Sequence, residues 1–246
     1  MAQTENNPET TYYAIPATLE ERKRVTCLHL KRESGDSLHI FPSGLWDCTA
    51  LKTLYLSYGN FTSLPRAIGL LTTLEHLELN MNKLTKLPRE IGKLTKLKTF
   101  QVMCNKLTSL PPEIGQLTKL KVLYLNENKL TSLPPEIGQC VALKDFAASI
   151  NSLTSLPREI GQLTALKKLN LSDNLLTSLP PEIGQLAKLD YFNLTYNRFN
   201  AFNDTHETMR ERWVEYRAAQ DADVVAALHL VRDYPTAVAK LVCKQL

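Results

Sequence analysis

The chain contains five cysteines and five histidines, the side chains best suited to nucleophilic catalysis or transition-metal binding near neutral pH. A cysteine becomes a strong nucleophile when a base lies within hydrogen-bond reach of its thiol. Cys27 and His29 are two residues apart, but the sequence offers no third group that would orient the histidine. His76 and Cys104 cannot pair, because a 23-residue repeat separates them by five strand positions, about 16 Å.

Metal and phosphate chemistry also lack their sequence signatures. No cysteines or histidines have the spacing of a metal site, and no phosphate-binding loop of the G-x-x-x-x-G-K type occurs. We therefore predict that the protein is not an enzyme and needs neither a cofactor nor a metal ion. An enzymatic alternative remains, in which Cys243 near the C-terminus is the nucleophile.

Composition limits the class of protein. The 246 residues are 43% hydrophobic, which is enough for one domain or a short repeat array with a sizeable core. The net charge of +4 is a mild excess and does not by itself indicate a nucleic-acid-binding protein. No apolar run reaches membrane-spanning length, and residues 1–11 lack the pattern of a secretory signal. We expect a cytoplasmic protein with reduced cysteines, or one that leaves the cell by a route that needs no cleaved signal.

The elements that would position these side chains follow from the 23-residue repeat. We number each unit from its first leucine; position four is then leucine or phenylalanine, position six is apolar and position nine is asparagine in all units but the first. The rest of each unit reads Leu-Pro-x-Glu-Ile-Gly, as in residues 87–92. A degenerate eighth unit precedes the others and begins at Val25. The first leucines of the seven regular units are Leu51, Leu74, Leu97, Leu120, Leu143, Leu166 and Leu189.

Each repeated position has a physical reason. The L-x-L alternation predicts a short strand with one buried face, and the asparagine is expected to bond the backbone at the turn that follows. Proline has no N–H and is expected to end the strand pairing, while glycine is expected to take a positive φ. One unit cannot bury its own leucines, so only a stack is stable. The sequence predicts a right-handed solenoid of eight coils with one parallel sheet on its concave side.

The repeats set the domain boundaries. They occupy residues 25–200, after a polar segment and cap at residues 1–24 in which Pro16 is expected to start a helical turn. Residues 201–246 have apolar side chains at helical spacing, including Trp213, and are predicted to form a helical C-terminal cap. A small docking bundle is the alternative for this segment.

The Leu-Pro-x-Glu-Ile-Gly-x-Leu motif resembles that of bacterial leucine-rich-repeat proteins, such as those of Leptospira and the translocated effectors of Legionella. This resemblance covers residues 25–200 and implies an α/β leucine-rich-repeat solenoid that binds protein in a host or bacterial cytosol. Some such effectors carry a ubiquitin-ligase domain, so the resemblance implies as an alternative a ubiquitin-ligase-type activity with Cys243 as its nucleophile. We expect the 46 residues after Asn200 to be too few for that domain.

Positions two, three, five, seven and eight are predicted to project from the concave side of the sheet. Large residues there have no evident duty in the coil, and tyrosine and methionine are enriched at the centres of interfaces. We predict that a monomer of this chain docks a partner protein there, either a host signalling protein or another bacterial effector, and binds neither nucleic acid nor membrane. The predicted contact residues are Tyr55, Tyr58, Glu78, Met81, Gln101, Met103, Tyr124, Glu127 and Ile150.

Lysines recur at positions two and ten, and glutamates recur at position seventeen. The simplest interpretation is two solvated rims that keep the protein soluble. The lysines could also steer an acidic partner, or bind nucleic acid or anionic lipid with a steep dependence on salt. The lysines are Lys52, Lys98, Lys121, Lys144 and Lys167 at position two and Lys83, Lys106 and Lys129 at position ten.

Overall fold

The computed structural model describes residues 11–12, 14–30 and 41–199, and within them nine strands form one parallel sheet in chain order. One short α-helix, α1 (Leu19–Arg22), lies between the first two strands. The strands are β1 (Thr11–Tyr12), β2 (Cys27–His29), β3 (Thr53–Tyr55), β4 (His76–Glu78), β5 (Thr99–Gln101), β6 (Val122–Tyr124), β7 (Asp145–Ala147), β8 (Lys168–Asn170) and β9 (Tyr191–Asn193).

The eight strands predicted from the repeat are confirmed as β2 to β9. Equivalent positions pair in register, so that Leu123 on β6 lies between Phe100 on β5 and Phe146 on β7. The ninth strand, β1, adds to this sheet by pairing Thr11 with Cys27. It lies outside the periodic part of the sequence, which is why the repeat does not predict it.

The core runs along the stack between the sheet and the returning half of each coil. Position-four side chains are buried from β3 to β8, with both Phe100 and Phe146 at 0% exposure, and Phe192 on β9 is partly buried. Leu123 and Leu125, on the same face of β6 and two residues apart, are also fully buried. Because each strand from β2 to β9 has only three residues, a coil buries these side chains only against its neighbours.

The asparagines at position nine form the predicted ladder. Asn105 donates from its Nδ2 to the carbonyls of Leu79 in the preceding coil and Val102 in its own coil, at 2.9 and 3.2 Å. Its Oδ1 accepts from the Leu84 N–H at 3.0 Å. Each asparagine therefore joins two coils through buried backbone groups. The same bridge is made by Asn82, Asn128, Asn151, Asn174 and Asn197.

Short 3-10 helices return the chain on the side opposite the sheet. The prediction that the prolines end the strands is wrong, because each strand already ends at position five, ten residues before the proline. Proline instead precedes the helix in extended conformation, as Pro134 does with φ −68° and ψ 144°. The helices span Leu45–Asp47, Arg66–Leu70, Arg89–Lys93, Pro112–Gln116, Pro135–Gln139, Arg158–Gln162 and Pro181–Gln185.

The repeated glycines serve close packing, and the prediction that they take a positive φ is wrong. Among the described glycines only Gly44 lies in the left-handed region, with φ 85°. A Cβ on Gly138 would meet the backbone oxygen of Glu159 in the next coil at 2.5 Å. Adjacent helices therefore approach closely because this position has no side chain.

Gly138→Ala is expected to lower the free energy of unfolding by about 1–3 kcal/mol, since backbone of the next coil must move to accept the methyl group. The midpoint of urea denaturation measures the loss. Gln139→Ala, an exposed change in the same helix, should leave the midpoint nearly unchanged. An unchanged midpoint for Gly138→Ala would contradict the close-packing explanation.

The N-terminal segment begins its helix later than predicted. Thr18, and not Pro16, caps α1, because its side chain accepts from the Glu21 N–H while Glu21 accepts from the Thr18 N–H. Arg22 then contacts Asp47 of the following helix at 3.2 Å. The predicted C-terminal cap at residues 201–246 lies outside the described residues. No helix in the described part of the chain is long and apolar enough to cross a membrane.

Candidate functional site

Side chains at positions three, five and seven project from the sheet away from the core, on what we call the open face. Strand register places four of the predicted contact residues side by side across β3 to β6. All four are partly exposed, so the predicted cluster is brought together. In spatial order they are Tyr55, Glu78, Gln101 and Tyr124.

Contacts within the chain hold the two tyrosines. The Tyr55 ring lies 3.8 Å from the His29 ring, and the Tyr124 hydroxyl donates to Asp145 at 3.1 Å. Burial raises the pKa of both hydroxyls, and the nearby Glu78 and Asp145 carboxylates add to the effect. Both tyrosines are therefore protonated at neutral pH and present fixed rings. The prediction that these two tyrosines have no structural role in the coil is therefore wrong, because each contacts a residue on a neighbouring strand.

Polar neighbours hold the rest of the open face. Ser57 donates to Glu78 at 2.7 Å, and the Asn80 amide donates to Gln101 at 3.2 Å. Met103, at position seven, is half-buried, and its N–H donates to Asn80 at 2.8 Å. These bonds link side chains of neighbouring coils, so the open face is ordered before any partner arrives.

Position eight differs from the prediction. These residues do not project from a strand, because they lie beyond its end in a turn where all seven have left-handed φ values of 53–64°. The N–H of each residue except the last donates to the position-seven carbonyl of the following coil, as Met81 does to Met103 at 2.9 Å. We call this series the turn row; its members are Tyr58, Met81, Cys104, Glu127, Ile150, Asp173 and Tyr196.

The turn row contains exposed apolar side chains in a strained conformation. Met81 is 46% exposed, Ile150 is 51% exposed and Tyr58 is 59% exposed. Left-handed backbone favours glycine, asparagine and aspartate, and a β-branched residue such as Ile150 is an outlier there. Of the seven residues only Asp173 is of a favoured type. Neither solvation nor the backbone conformation favours the exposed apolar residues Tyr58, Met81 and Ile150 at these positions.

Ile150→Asn is expected to raise the free energy of unfolding by about 1 kcal/mol, because asparagine tolerates the left-handed conformation and about half of the isoleucine side chain is already exposed. The urea midpoint should rise with an unchanged slope. The reciprocal change at the equivalent site, Asp173→Ile, should lower it by a similar amount. A loss of stability in Ile150→Asn would show that the isoleucine is there for the fold.

Cys104 and Cys140 are poor nucleophiles, because a thiol with a raised pKa is protonated at neutral pH. Burial raises the pKa of Cys140 to about 12, and burial followed by the Glu127 carboxylate raises that of Cys104. Cys104 lies in the turn row and His76 on β4, so the two do not form a pair. The described residues hold no group of three or more His, Cys, Asp or Glu placed to bind a metal ion. Cys243 lies outside the described residues.

The structure separates the lysines into two rows. Each lysine at position two directly precedes a strand. Among them, Lys98 pairs with Glu75 of the preceding coil at 2.5 Å. Those at position ten follow the turn row, are exposed and make no ion pair with another described residue. The single ladder inferred from the sequence is thus two basic rows at opposite ends of the strands.

Comparison with known proteins agrees with this architecture. A family profile described as a leucine-rich repeat region matches residues 45–150, and another described as a leucine rich repeat matches residues 142–199. Comparison with curated proteins finds no match.

Solved structures with this fold come from bacteria and plants. A leucine-rich-repeat protein of Leptospira interrogans is 32% identical, with a TM-score of 0.61 over 78% of this chain and 60% of its own. An internalin of Listeria monocytogenes shares the fold at 19% identity, with a TM-score of 0.63 over 75% of this chain and 52% of its own. The Arabidopsis receptor kinase HAESA, solved with the peptide hormone IDA and the co-receptor SERK1, is 28% identical, with a TM-score of 0.56 over 64% of this chain and 29% of its own. The chain therefore spans about 60% or less of the length of each of these proteins.

Proposed function

Because this chain is a leucine-rich-repeat protein, we propose that it binds a partner protein through the open face and the turn row, and that it catalyses no reaction. Leucine-rich repeats generally mediate protein–protein interaction, and proteins of this fold are typically not enzymes. The structural neighbour HAESA was solved with a peptide hormone and a co-receptor. The repeat fold predicts that the open face is concave, a shape that suits a protein or peptide partner.

The turn row carries the proposal. Met81 and Ile150 keep a disfavoured backbone conformation while exposing about half of their apolar surface. The coil imposes this conformation on all seven residues, so what needs an explanation is the choice of exposed apolar side chains where asparagine, aspartate or glycine would fit better. Tyrosine and methionine contribute large contact areas at the centres of interfaces, and ordered side chains lose little entropy on binding. These properties favour a docking site over a merely solvated face.

The finer role we propose is that of a bacterial effector or regulator acting in the cytoplasm, with entry into a host cytosol as one route. The Leptospira neighbour supports a bacterial type of repeat, and the resemblance to Legionella effectors motivates the host setting. The partner would then be a host signalling protein or another bacterial effector. Capture from a host lysate and from a bacterial lysate, side by side, distinguishes the two.

Truncating a central contact residue is expected to weaken binding to the captured partner by about 2 kcal/mol or more, roughly thirtyfold in the dissociation constant. Met81→Ala and Tyr124→Ala are the test variants, and titration calorimetry with the purified partner is the measurement. Circular dichroism should show both variants folded.

Glu113→Ala, on the helical side of the coil, is the matched control and should bind as the wild type does. The proposal fails if both test variants bind normally while Trp213→Ala abolishes binding without unfolding the chain. That result would move the function to residues 201–246. Ubiquitin transfer that disappears in Cys243→Ala would overturn the non-enzymatic assignment.

A further inference from the structure

We propose that the bound segment of the partner is an extended stretch of polypeptide with alternating acidic and large apolar side chains, lying along the turn row from Tyr58 to Ile150. This inference rests on the proposed function and adds the partner's chemistry and its direction on the surface. The apolar side chains would pack between those of the turn row, and the carboxylates would pair with the lysines at position ten.

The backbone fixes two parallel rows at the C-terminal ends of the strands. In the turn row, the N–H of Ile150 donates to the Ser172 carbonyl of the next coil at 3.0 Å. At position ten the bond runs the other way: the Lys129 N–H donates to the Leu107 carbonyl of the preceding coil at 2.9 Å. Both rows therefore keep the spacing of the coils, about 4.8 Å.

The turn row supplies the apolar half of the recognition. Tyr58 and Met81 are adjacent and exposed, and Ile150 is exposed three coils further along. From Tyr58 to Ile150 the row covers four coil steps, about 19 Å, the length of roughly six extended residues. A strand-like segment running along the solenoid axis would therefore reach both ends of the apolar row.

Position ten supplies the charged half. Lys83, Lys106 and Lys129 stand on three consecutive coils, each two residues after a member of the turn row. All three are exposed and make no ion pair with another described residue. Lys83 stands beside the exposed Met81, and Lys106 and Lys129 extend the positive charge towards Ile150, which favours a partner with carboxylates next to apolar side chains.

Charges on the same surface favour polypeptide over nucleic acid or lipid. Glu127 and Asp173 are exposed within the turn row, and Glu78 lies on the neighbouring open face. A continuous phosphate backbone would meet these carboxylates, whereas a peptide can place its acidic residues opposite the lysines alone. An anionic bilayer would have to desolvate Glu127 between the apolar residues, which is unfavourable.

The test uses the full chain and a phage-displayed library of random peptides of about twelve residues. Enriched peptides are expected to contain at least two acidic and two large apolar residues. Their affinity should fall about tenfold or more in the triple variant Lys83→Glu/Lys106→Glu/Lys129→Glu, and by a similar factor in Met81→Asn/Ile150→Asn. The matched control is Lys96→Glu/Lys119→Glu/Lys188→Glu, which makes the same charge change at three other exposed lysines and should bind normally.

The remaining outcomes separate this inference from the proposed function. One outcome is that the enriched peptides lack acidic residues, bind the triple lysine variant as tightly as the wild type and lose binding in Tyr124→Ala. That outcome would refute the inference and leave the proposed function standing. Tighter binding of polyuridine RNA or of phosphatidylserine vesicles, lost in the same triple variant, would replace the peptide with that ligand. A library with no enriched peptide would also overturn the inference, while the captured partner still tests the proposed function.

Discussion

Replacing Leu123 with alanine is expected to lower the free energy of unfolding by about 2–5 kcal/mol. Leu123 is fully buried on β6 between Phe100 and Phe146, so its removal leaves a cavity that the flanking rings fill only in part. Each coil is stable only against its neighbours, and the loss should therefore be felt along the stack. Urea denaturation measures the free energy, and amide hydrogen exchange reports how many coils open together.

Leu70→Ala is the matched control, because it makes the same chemical change at a leucine that is 58% exposed. It should cost well under the loss at Leu123, about 0.5 kcal/mol. Faster exchange confined to β6 in Leu123→Ala would contradict cooperative stacking, and equal losses in both variants would contradict the burial argument.

The repeat predicts those parts of the fold that depend on side-chain burial. Leucine at positions one and four specifies which side of the chain faces the core, and equal unit lengths specify in-register parallel pairing, as between Leu77 and Phe100. The asparagine ladder follows because a buried amide must bond the backbone, as Asn105 does. β1 carries no such signal, since Thr11 and Tyr12 belong to no repeat and only their pairing with β2 identifies them.

The pattern of side chains in the sequence does not reveal the backbone conformation of the turns. Gly138 suggested a positive φ, but its actual constraint comes from the Glu159 carbonyl of another coil, 21 residues away. The left-handed turn at position eight escaped prediction because Tyr58, Met81 and Ile150 are not residues that normally mark such a turn. A signal was nevertheless present: Asp173 occupies the equivalent position.

For the candidate site, the sequence predicts which side chains lie on adjacent strands, but it predicts neither their hydrogen bonds nor the left-handed backbone at position eight. The period of 23 residues is enough to place Tyr55, Glu78, Gln101 and Tyr124 on adjacent strands. It does not reveal that Tyr124 is bonded to Asp145 or that Asn80 donates to Gln101. These features depend on distances between coils, which a one-dimensional pattern does not contain.

Asn128→Ala is expected to lower the free energy of unfolding by about 2–3 kcal/mol, because it leaves a buried backbone donor without a partner. The Asn128 Oδ1 accepts from the Leu107 N–H at 3.0 Å, and no other acceptor for that N–H is present in the described residues. The carbonyl of Val102 also loses a hydrogen bond from Asn128, but it keeps the one that Asn105 donates. The control is Lys129→Ala, at the exposed position next to Asn128 in the same coil, which should cost under about 1 kcal/mol.

The pH dependence of the stability of Asn128→Asp distinguishes the accepting role of the Asn128 side chain from its donating role. An aspartate can still accept from Leu107, but its carboxylate would face the carbonyls of Val102 and Leu125, to which the amide donates at 2.9 and 3.0 Å. Burial and these carbonyls should raise the pKa of the introduced carboxyl in the folded state above its unfolded value of about 3.9. Protonation then favours folding, so the variant should be less stable than Asn128→Ala at pH 7. Relative to that variant, its stability should recover as the pH falls through the raised folded-state pKa towards about 4, since a protonated carboxyl can donate to one carbonyl. Urea midpoints of both variants across this pH range measure the difference, and a constant difference would show that the ladder's donors contribute little.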